Sequence, residues 1–354
     1  MNLEKIDTHA HILTPSYKKA LVENGHTFPD GNPSYLVPEW SVEAHLNFMQ
    51  ENNISKSILS TSSPGTHLVK GNDALARRIT RECNEYAADL KIRYPEQLGF
   101  WASLPLPDVE GAIDEIDHAL DKLNADGFIV FSNSQGIYLG DNILQPVFKK
   151  LNERKAKVFI HPTTPCNRHT PPQPIIDERN RISAPLADCY INPLMEFFFD
   201  TTRSLVDLLL SGTASCYKDI TFIVAHAGAA LPALLSRMVL FSKFHPSSSH
   251  FPSRPNITPC TTEEVRRLLS RQFFFDLAGD VMDHQIHAIL RIVGTDRLLY
   301  GSDFPWTPGA AATELANELN RGMPTLFNER QVDEIFRVNA QRLLKTGERG
   351  GGGP

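Results

Sequence analysis

Eight short apolar runs punctuate this chain. Between them the hydrophobic positions fall into a spacing near 3.6 residues, the mark of helices with one buried face. The runs are Lys5–Leu13, Lys56–Ser60, Leu98–Leu104, Gly127–Phe131, Lys157–His161, Ile220–His226, Gln272–Leu277 and Arg297–Asp303. Ser41 is placed to cap a helix over Ala44–Ile54, and Asp108 to cap one running to Leu123, with Ile113, Ile116, Leu120 and Leu123 on one face. Further helical patterns cover Asp73–Arg93, Leu144–Lys155, Leu194–Leu210, the stretch from Gly228 to Phe244, and His284–Val293. Two more, Ala310–Asn320 and Glu329–Leu344, follow the last strand. The residues at 14–39, 162–193 and 245–259, rich in Pro, Gly, Ser or charge, read as loops.

Unbroken apolar strands alternating with helices predict a parallel sheet covered on both faces. Eight such units predict a (β/α)8 TIM barrel with long rim loops. An open doubly wound sheet is the alternative, but no G-x-G-x-x-G or Walker loop follows any strand. No internal repeat and no linker divides the chain. One domain is therefore expected over residues 1–346, with a flexible tail at 347–354.

Charge and composition exclude several classes of function. A net charge of -6 on 354 residues gives no electrostatic footprint for nucleic acid or an anionic membrane. The apolar runs are too short to span a bilayer. The five cysteines, Cys83, Cys166, Cys189, Cys216 and Cys260, are scattered and form no C-x-x-C pair. With no basic, apolar leader visible, a reducing, cytoplasmic location is expected.

The chemistry gathers at the ends of the strands, where a (β/α)8 barrel places its active site. His9 and His11 stand two apart on the first strand and so share a face. Alone the pair means little, because 13 histidines in 354 residues give roughly 0.5 such pairs by chance. However, His161 closes the fifth strand, His226 the sixth and Asp303 the eighth, each after an apolar run. Buried ionisable groups on one rim need partners, and one metal ion would satisfy them together. The other histidines, His45, His67, His284 and His287 among them, fall outside the rim pattern and read as surface residues.

These motifs carry a resemblance. Asp7-Thr8-His9-Ala10-His11, His161-Pro162, His226-Ala227-Gly228 and Gly301-Ser302-Asp303-Phe304-Pro305 resemble the amidohydrolase superfamily. Within it they resemble the branch of muconate-semialdehyde and aromatic-acid decarboxylases. Ser63-Pro64-Gly65, Cys83-Asn84-Glu85-Tyr86-Ala87 and Asn124-Ala125-Asp126-Gly127 look most like the fungal 6-methylsalicylate decarboxylase type. The resemblance implies that His9, His11, His161 and Asp303 are metal ligands, and that His226 and Asp303 do acid/base work. Phe131-Ser132 ends the fourth strand, where binuclear members carry a bridging lysine, so one divalent metal is implied. Zinc suits the set, and manganese tolerates it.

The implied reaction is non-oxidative decarboxylation of an ortho-hydroxy aromatic acid, 6-methylsalicylate to 3-methylphenol and CO2, in a homodimer. Arg237 matches an arginine that, in muconate-semialdehyde enzymes, reaches the neighbouring subunit's site. A surface-helix role for it is the alternative. The loop arginine those enzymes carry before the first helix is missing from Gly25–Trp40, which argues against their substrate. Trp40, Trp101, Phe131, Phe304 and Trp306 are candidates to hold an aromatic ring, and Arg168 a carboxylate. Uracil-5-carboxylate is an alternative substrate. A lactone or amide hydrolase using metal-bound water and a catalytically silent binding barrel are the competing readings.

Overall fold

The computed structural model describes residues 3–32, 37–166, 186, 190–244 and 259–345. Most of the loops expected at 162–193 and 245–259, together with Arg168 and the tail at 347–354, lie outside the described residues. Eight parallel strands form one sheet in chain order: β1 (Lys5–Ile12), β2 (Ile54–Thr61), β3 (Leu98–Ser103), β4 (Gly127–Phe131), β5 (Lys157–His161), β6 (Thr221–Val224), β7 (Phe273–Asp276) and β8 (Leu298–Leu299). The sheet closes on itself through bridges from Asp7 to Tyr300 and from Ala10 to Phe304. Thr8 N–H donates to Tyr300 O at 3.0 Å and His11 N–H to Phe304 O at 2.7 Å across that seam. This is the (β/α)8 barrel the sequence predicts.

Helices fill the connections: α1 (Pro15–Glu23), α2 (Val42–Glu51), α3 (Asp73–Arg93), α4 (Val109–Asp121), α5 (Gln145–Glu153), α6 (Glu196–Leu210), α7 (Leu231–Ser242), α8 (Thr262–Gln272), α9 (Gln285–Ile289) and α10 (Gly309–Leu326). After α10 the chain runs through Glu329–Asp333 and a π-helical turn at Glu334–Val338 into Asn339–Lys345. Ser41 and Asp108 cap α2 and α4 as their positions predict, accepting from Ala44 N–H and Gly111 N–H. Helix α1 corrects the sequence reading, which took 14–39 as a loop throughout. Thr14 Oγ1 caps it through Tyr17 N–H, Pro15 opens it, and Tyr17 and Leu21 bury one short face. Two apolar residues in a Pro/Gly-rich stretch are too few to show a period.

The core has two shells. Alternate strand residues such as Ala10, Leu59, Phe128, Val158 and Phe275 face the helices. The barrel interior takes one residue from each strand in turn: Ile6, Ile58, Trp101, Ile129, Phe159, Ile223, Phe274 and Leu299, with Ala340 and Leu343 also in this cluster. On β1 the pairing with β2 slips, so that Asp7 opposes Ser57 but Ala10 opposes Leu59. Three steps on one strand thus match two on the other, a β-bulge. The slip reverses the parity of β1. Strict alternation from the inward Ile6 would turn Thr8 and Ala10 inward. After the bulge Ala10 and Ile12 pack outward and the histidines face in.

Candidate metal centre

His9, His11, His161 and Asp303 converge at the C-terminal mouth of the barrel. Their ligating atoms all lie within 4.8 Å of one another. Asp303 Oδ1 is 3.4 Å from His9 Nε2 and 3.1 Å from His11 Nε2. Ligand atoms arranged tetrahedrally at about 2.1 Å from zinc sit about 3.4 Å apart. The rings of His9, His11 and His161 stand edge to face, with centroids 4.7 to 5.2 Å apart.

Hydrogen bonds aim each ring. His9 Nδ1 lies 3.0 Å from Asp276 Oδ2, and His161 Nδ1 lies 2.7 Å from the Pro162 carbonyl. His11 Nδ1 lies 3.3 Å from Ser60 Oγ, whose own proton goes to the Ala10 carbonyl. In each case Nδ1 meets an acceptor and donates, which leaves Nε2 for the centre. His9 Nε2 and His11 Nε2 are buried with no hydrogen-bond partner. Two orphaned nitrogens beside a carboxylate are a donor set for a divalent cation, so these residues fit one.

The charges agree. Burial works to raise the Asp303 carboxyl, but the close approach of His11 and the charge of His9 outweigh it and hold it well below the usual range. Burial opposes charge on His9, yet Asp276 and then Asp303 raise it to about 10. Burial, then the neighbouring imidazoles, push His161 well down. His11 and His226 are lowered by burial too. Two ionised carboxylates beside three imidazoles kept neutral by burial draw positive charge onto His9, the charge that a divalent cation would supply in its place.

His226 sits at the edge of this group, its ring 5.1 Å from that of His9. A left-handed turn presents it, with φ of 55° at His226 and 52° at Ala227. Its Nδ1 meets the Ala278 carbonyl at 3.2 Å. Asp303 is likewise left-handed, at φ 57°. His9, His226 and Asp276 form a second cluster. The Asp276 carboxylate there is already engaged by His9 and by two backbone N–H groups, which makes it a support for ligands. At the end of β4, Ser132 Oγ donates to buried Asp200.

The aromatic residues around the site differ from those expected. Trp101 lies one layer below the mouth, fully buried, with Nε1–H on the Thr8 carbonyl at 2.9 Å. Phe304 faces α2, stacked on Phe48 at 4.2 Å. Trp306 is half-buried at the rim and donates to Ser62 Oγ. Trp40 packs against His45. Phe131 does face the site, 5.9 Å from His161. Two neighbours went unread in the sequence: Phe198 stacks 5.6 Å from His226, and Phe197 stands edge-on 6.2 Å from His161. They lie in the run Phe197-Phe198-Phe199 at the start of α6, where nothing in the sequence shows which ring turns toward the site. Asp276 was also missed, although it closes the apolar Phe273-Phe274-Phe275 just as His161 closes its strand. Arg237 is exposed on α7, its guanidinium 4.6 Å above the Phe241 ring. His45 corrects the surface reading: it is fully buried and lies 3.0 Å from Ser57 Oγ.

The profile of the Amidohydrolase family matches residues 6–346. A 6-methylsalicylic acid decarboxylase of Aspergillus aculeatus is 32% identical over 344 residues, covering 96% of each chain. A solved structure described as an amidohydrolase superposes with a TM-score of 0.82 and 33% identity, over 97% of this chain and 100% of that one. The 5-carboxyvanillate decarboxylase of Novosphingobium aromaticivorans, complexed with manganese and a nitrated hydroxybenzoic acid, gives a TM-score of 0.76 over 97% and 96% of the two chains. At 21% identity, that last likeness is one of fold.

Proposed function

This chain belongs to the amidohydrolase family, and from that premise we propose that it decarboxylates an ortho-hydroxy aromatic acid with the help of one divalent metal. The substrate we assign is 6-methylsalicylate, and the products are 3-methylphenol and CO2. One observation carries the reading. Three imidazoles with tethered Nδ1 atoms and one ionised carboxylate converge, in a chain that matches a 6-methylsalicylic acid decarboxylase nearly end to end. His9, His11, His161 and Asp303 would hold the metal. Zinc is our reading, and manganese, present in the 5-carboxyvanillate enzyme, is the alternative. When bound, the ion supplies charge that offsets the carboxylate and phenolate of the substrate.

The chain's own residues then move the proton. Asp303 is the most open of the ligand set, with a side chain 20% exposed beside fully buried His9 and His11. Ionised, it accepts the phenolic proton. It then delivers that proton to the ring carbon that bears the carboxylate. The carbon–carbon bond breaks, its electron pair returns to the ring, and CO2 leaves. The phenolate takes a proton from water, so one proton is consumed per turnover. His226 holds or polarises the substrate through Nε2, and the two residues could exchange roles. Phe131, Phe197 and Phe198 lie where an apolar ring slot is needed.

In favour of a homodimer, Leu234, Leu240, Phe241 and Phe244 are exposed on and just after α7, the helix that carries Arg237. On this reading Arg237 approaches the partner copy's site. The whole of 1–346 acts as one catalytic domain.

Metal-loaded protein incubated with 6-methylsalicylate should yield 3-methylphenol and CO2, and a chelator should stop it. No product from 6-methylsalicylate, other ortho-hydroxy acids or uracil-5-carboxylate would sink the assignment and favour the hydrolase reading.

A further inference from the structure

Asp276 uses one carboxylate twice. It closes β7 and is fully buried. Its Oδ2 lies 3.0 Å from His9 Nδ1. Its Oδ1 accepts the backbone N–H of His226 at 3.0 Å and that of Ala278 at 3.1 Å. Ala278 in turn offers its carbonyl to His226 Nδ1 at 3.2 Å. One side chain therefore grips a ligand on β1 and the turn after β6.

We infer that Asp276 is a positioning residue that couples the two halves of the site: it fixes the tautomer of His9 for metal binding and pins the left-handed turn that presents His226. An ionised carboxylate has only acceptors, so His9 Nδ1 keeps its proton and the partnerless Nε2 faces the centre. The turn needs an anchor because Ala227 and Ala229 also have positive φ, 52° and 54°, which side-chain-bearing residues rarely adopt. Space around Asp276 is tight. A Cβ on Gly301 would meet the Cβ atoms of His9 at 2.8 Å and Asp276 at 3.3 Å, so only glycine lets the chain after β8 pass between them.

Two substitutions separate the functions. In Asp276→Asn the amide oxygen still accepts from His226 and Ala278, but the amide nitrogen can only donate. It then forces the His9 proton onto Nε2, the metal-facing atom. Mn2+ affinity of the metal-free protein, titrated by electron paramagnetic resonance, should fall 10- to 100-fold. In a His9→Ala background the same change should leave affinity unaltered, because the partner it acts through is gone. Equal losses in both backgrounds, or no loss in either, would overturn the inference.

The second half rests on the decarboxylase reading, and turnover at saturating Mn2+ tests it. Both variants lose the His9 contact, but Asp276→Ala, which also frees the turn, should have a kcat at least tenfold below that of Asp276→Asn. Equal kcat in the two variants would refute the anchoring role while leaving the His9 result standing. Wild-type protein that takes up neither Mn2+ nor Zn2+ would overturn the metal reading and the inference together.

Discussion

Asp303 is asked to hold charge and to move a proton, and both depend on its carboxylate. Asp303→Asn keeps the shape and removes the charge and the exchangeable proton. Turnover at saturating metal should fall by about 10²- to 10⁴-fold, with the far-UV circular dichroism spectrum unchanged. Near-wild-type rates would remove Asp303 from the mechanism. His45 shows the opposite use of a histidine. Burial lowers it from 6.5 to about 3, so the folded chain keeps it neutral where the unfolded chain would charge it. Its contribution is complete above pH 6.5 and is lost as pH falls from there toward 3. With each unit worth about 1.4 kcal/mol, the acid penalty is on the order of 5 kcal/mol at most. His45→Gln should flatten the fall of thermal stability between pH 6.5 and 4, and an unchanged slope would assign the acid sensitivity elsewhere.

Strand β1 depends on its bulge. The slip between Asp7 and Ala10 turns His9 and His11 into the barrel, and it interrupts the ladder at Thr8. Two hydrogen bonds repair the gap, one to the chain after β8 and one from β3. Thr8 Oγ1 donates to the Tyr300 carbonyl at 3.0 Å, and Trp101, reaching from β3, donates to the Thr8 carbonyl. Asp7 locks the other side by accepting from His9 N–H and from the N–H and hydroxyl of Ser302. Trp101→Phe keeps an aromatic ring, but it removes the donor and the second ring of the indole. It should cost about 1 to 3 kcal/mol for the unpaired carbonyl, read as a lower urea midpoint. It should also weaken metal uptake, because the bulge carries two ligands. A stable variant with unchanged metal affinity would show that the bulge stands without it. The substrate role expected for Trp101 is thus replaced by one in shaping the strand.

The molecule as a whole is a closed barrel with three of its described loops tied together on the rim that carries the metal centre. Asp30, in the connection after α1, accepts from Thr164 N–H and Oγ1, and Ser63 Oγ meets Thr163 Oγ1 at 2.6 Å. Loops after β1, β2 and β5 are thereby tied beside the metal centre. No described helix is long and apolar enough to cross a membrane. The exposed apolar side chains of α7 support the homodimer proposed above. Sedimentation at micromolar concentration should give twice the mass of the 39.6 kDa chain. A charge such as Leu240→Glu should shift it toward the monomer. A monomeric wild type would return Arg237 to an ordinary place on the surface.

The order of strands and helices was legible because it lies in local periodicity, which needs no knowledge of distant contacts. So were His9, His11, His161, His226 and Asp303, since each interrupts or closes an apolar run where burial of a polar group needs a reason. What the sequence left open belongs to long-range packing. Helix α1 has too short an apolar face to show a period. Whether an aromatic lines the mouth or fills the core depends on strand parity and rim curvature, so Trp101 and Phe304 pack away while Phe197 and Phe198 approach from α6. His45 is polar in sequence and buried in space because it lies on the face of α2 that packs against β2, where Ser57 meets its ring. The inward turn of His9 and His11 is itself a tertiary decision, made by a bulge that exists only where β1 meets β2. The chain carries its ligands in order, and only closure of the barrel brings residues nearly 300 positions apart, His9 and Asp303, to 3.4 Å.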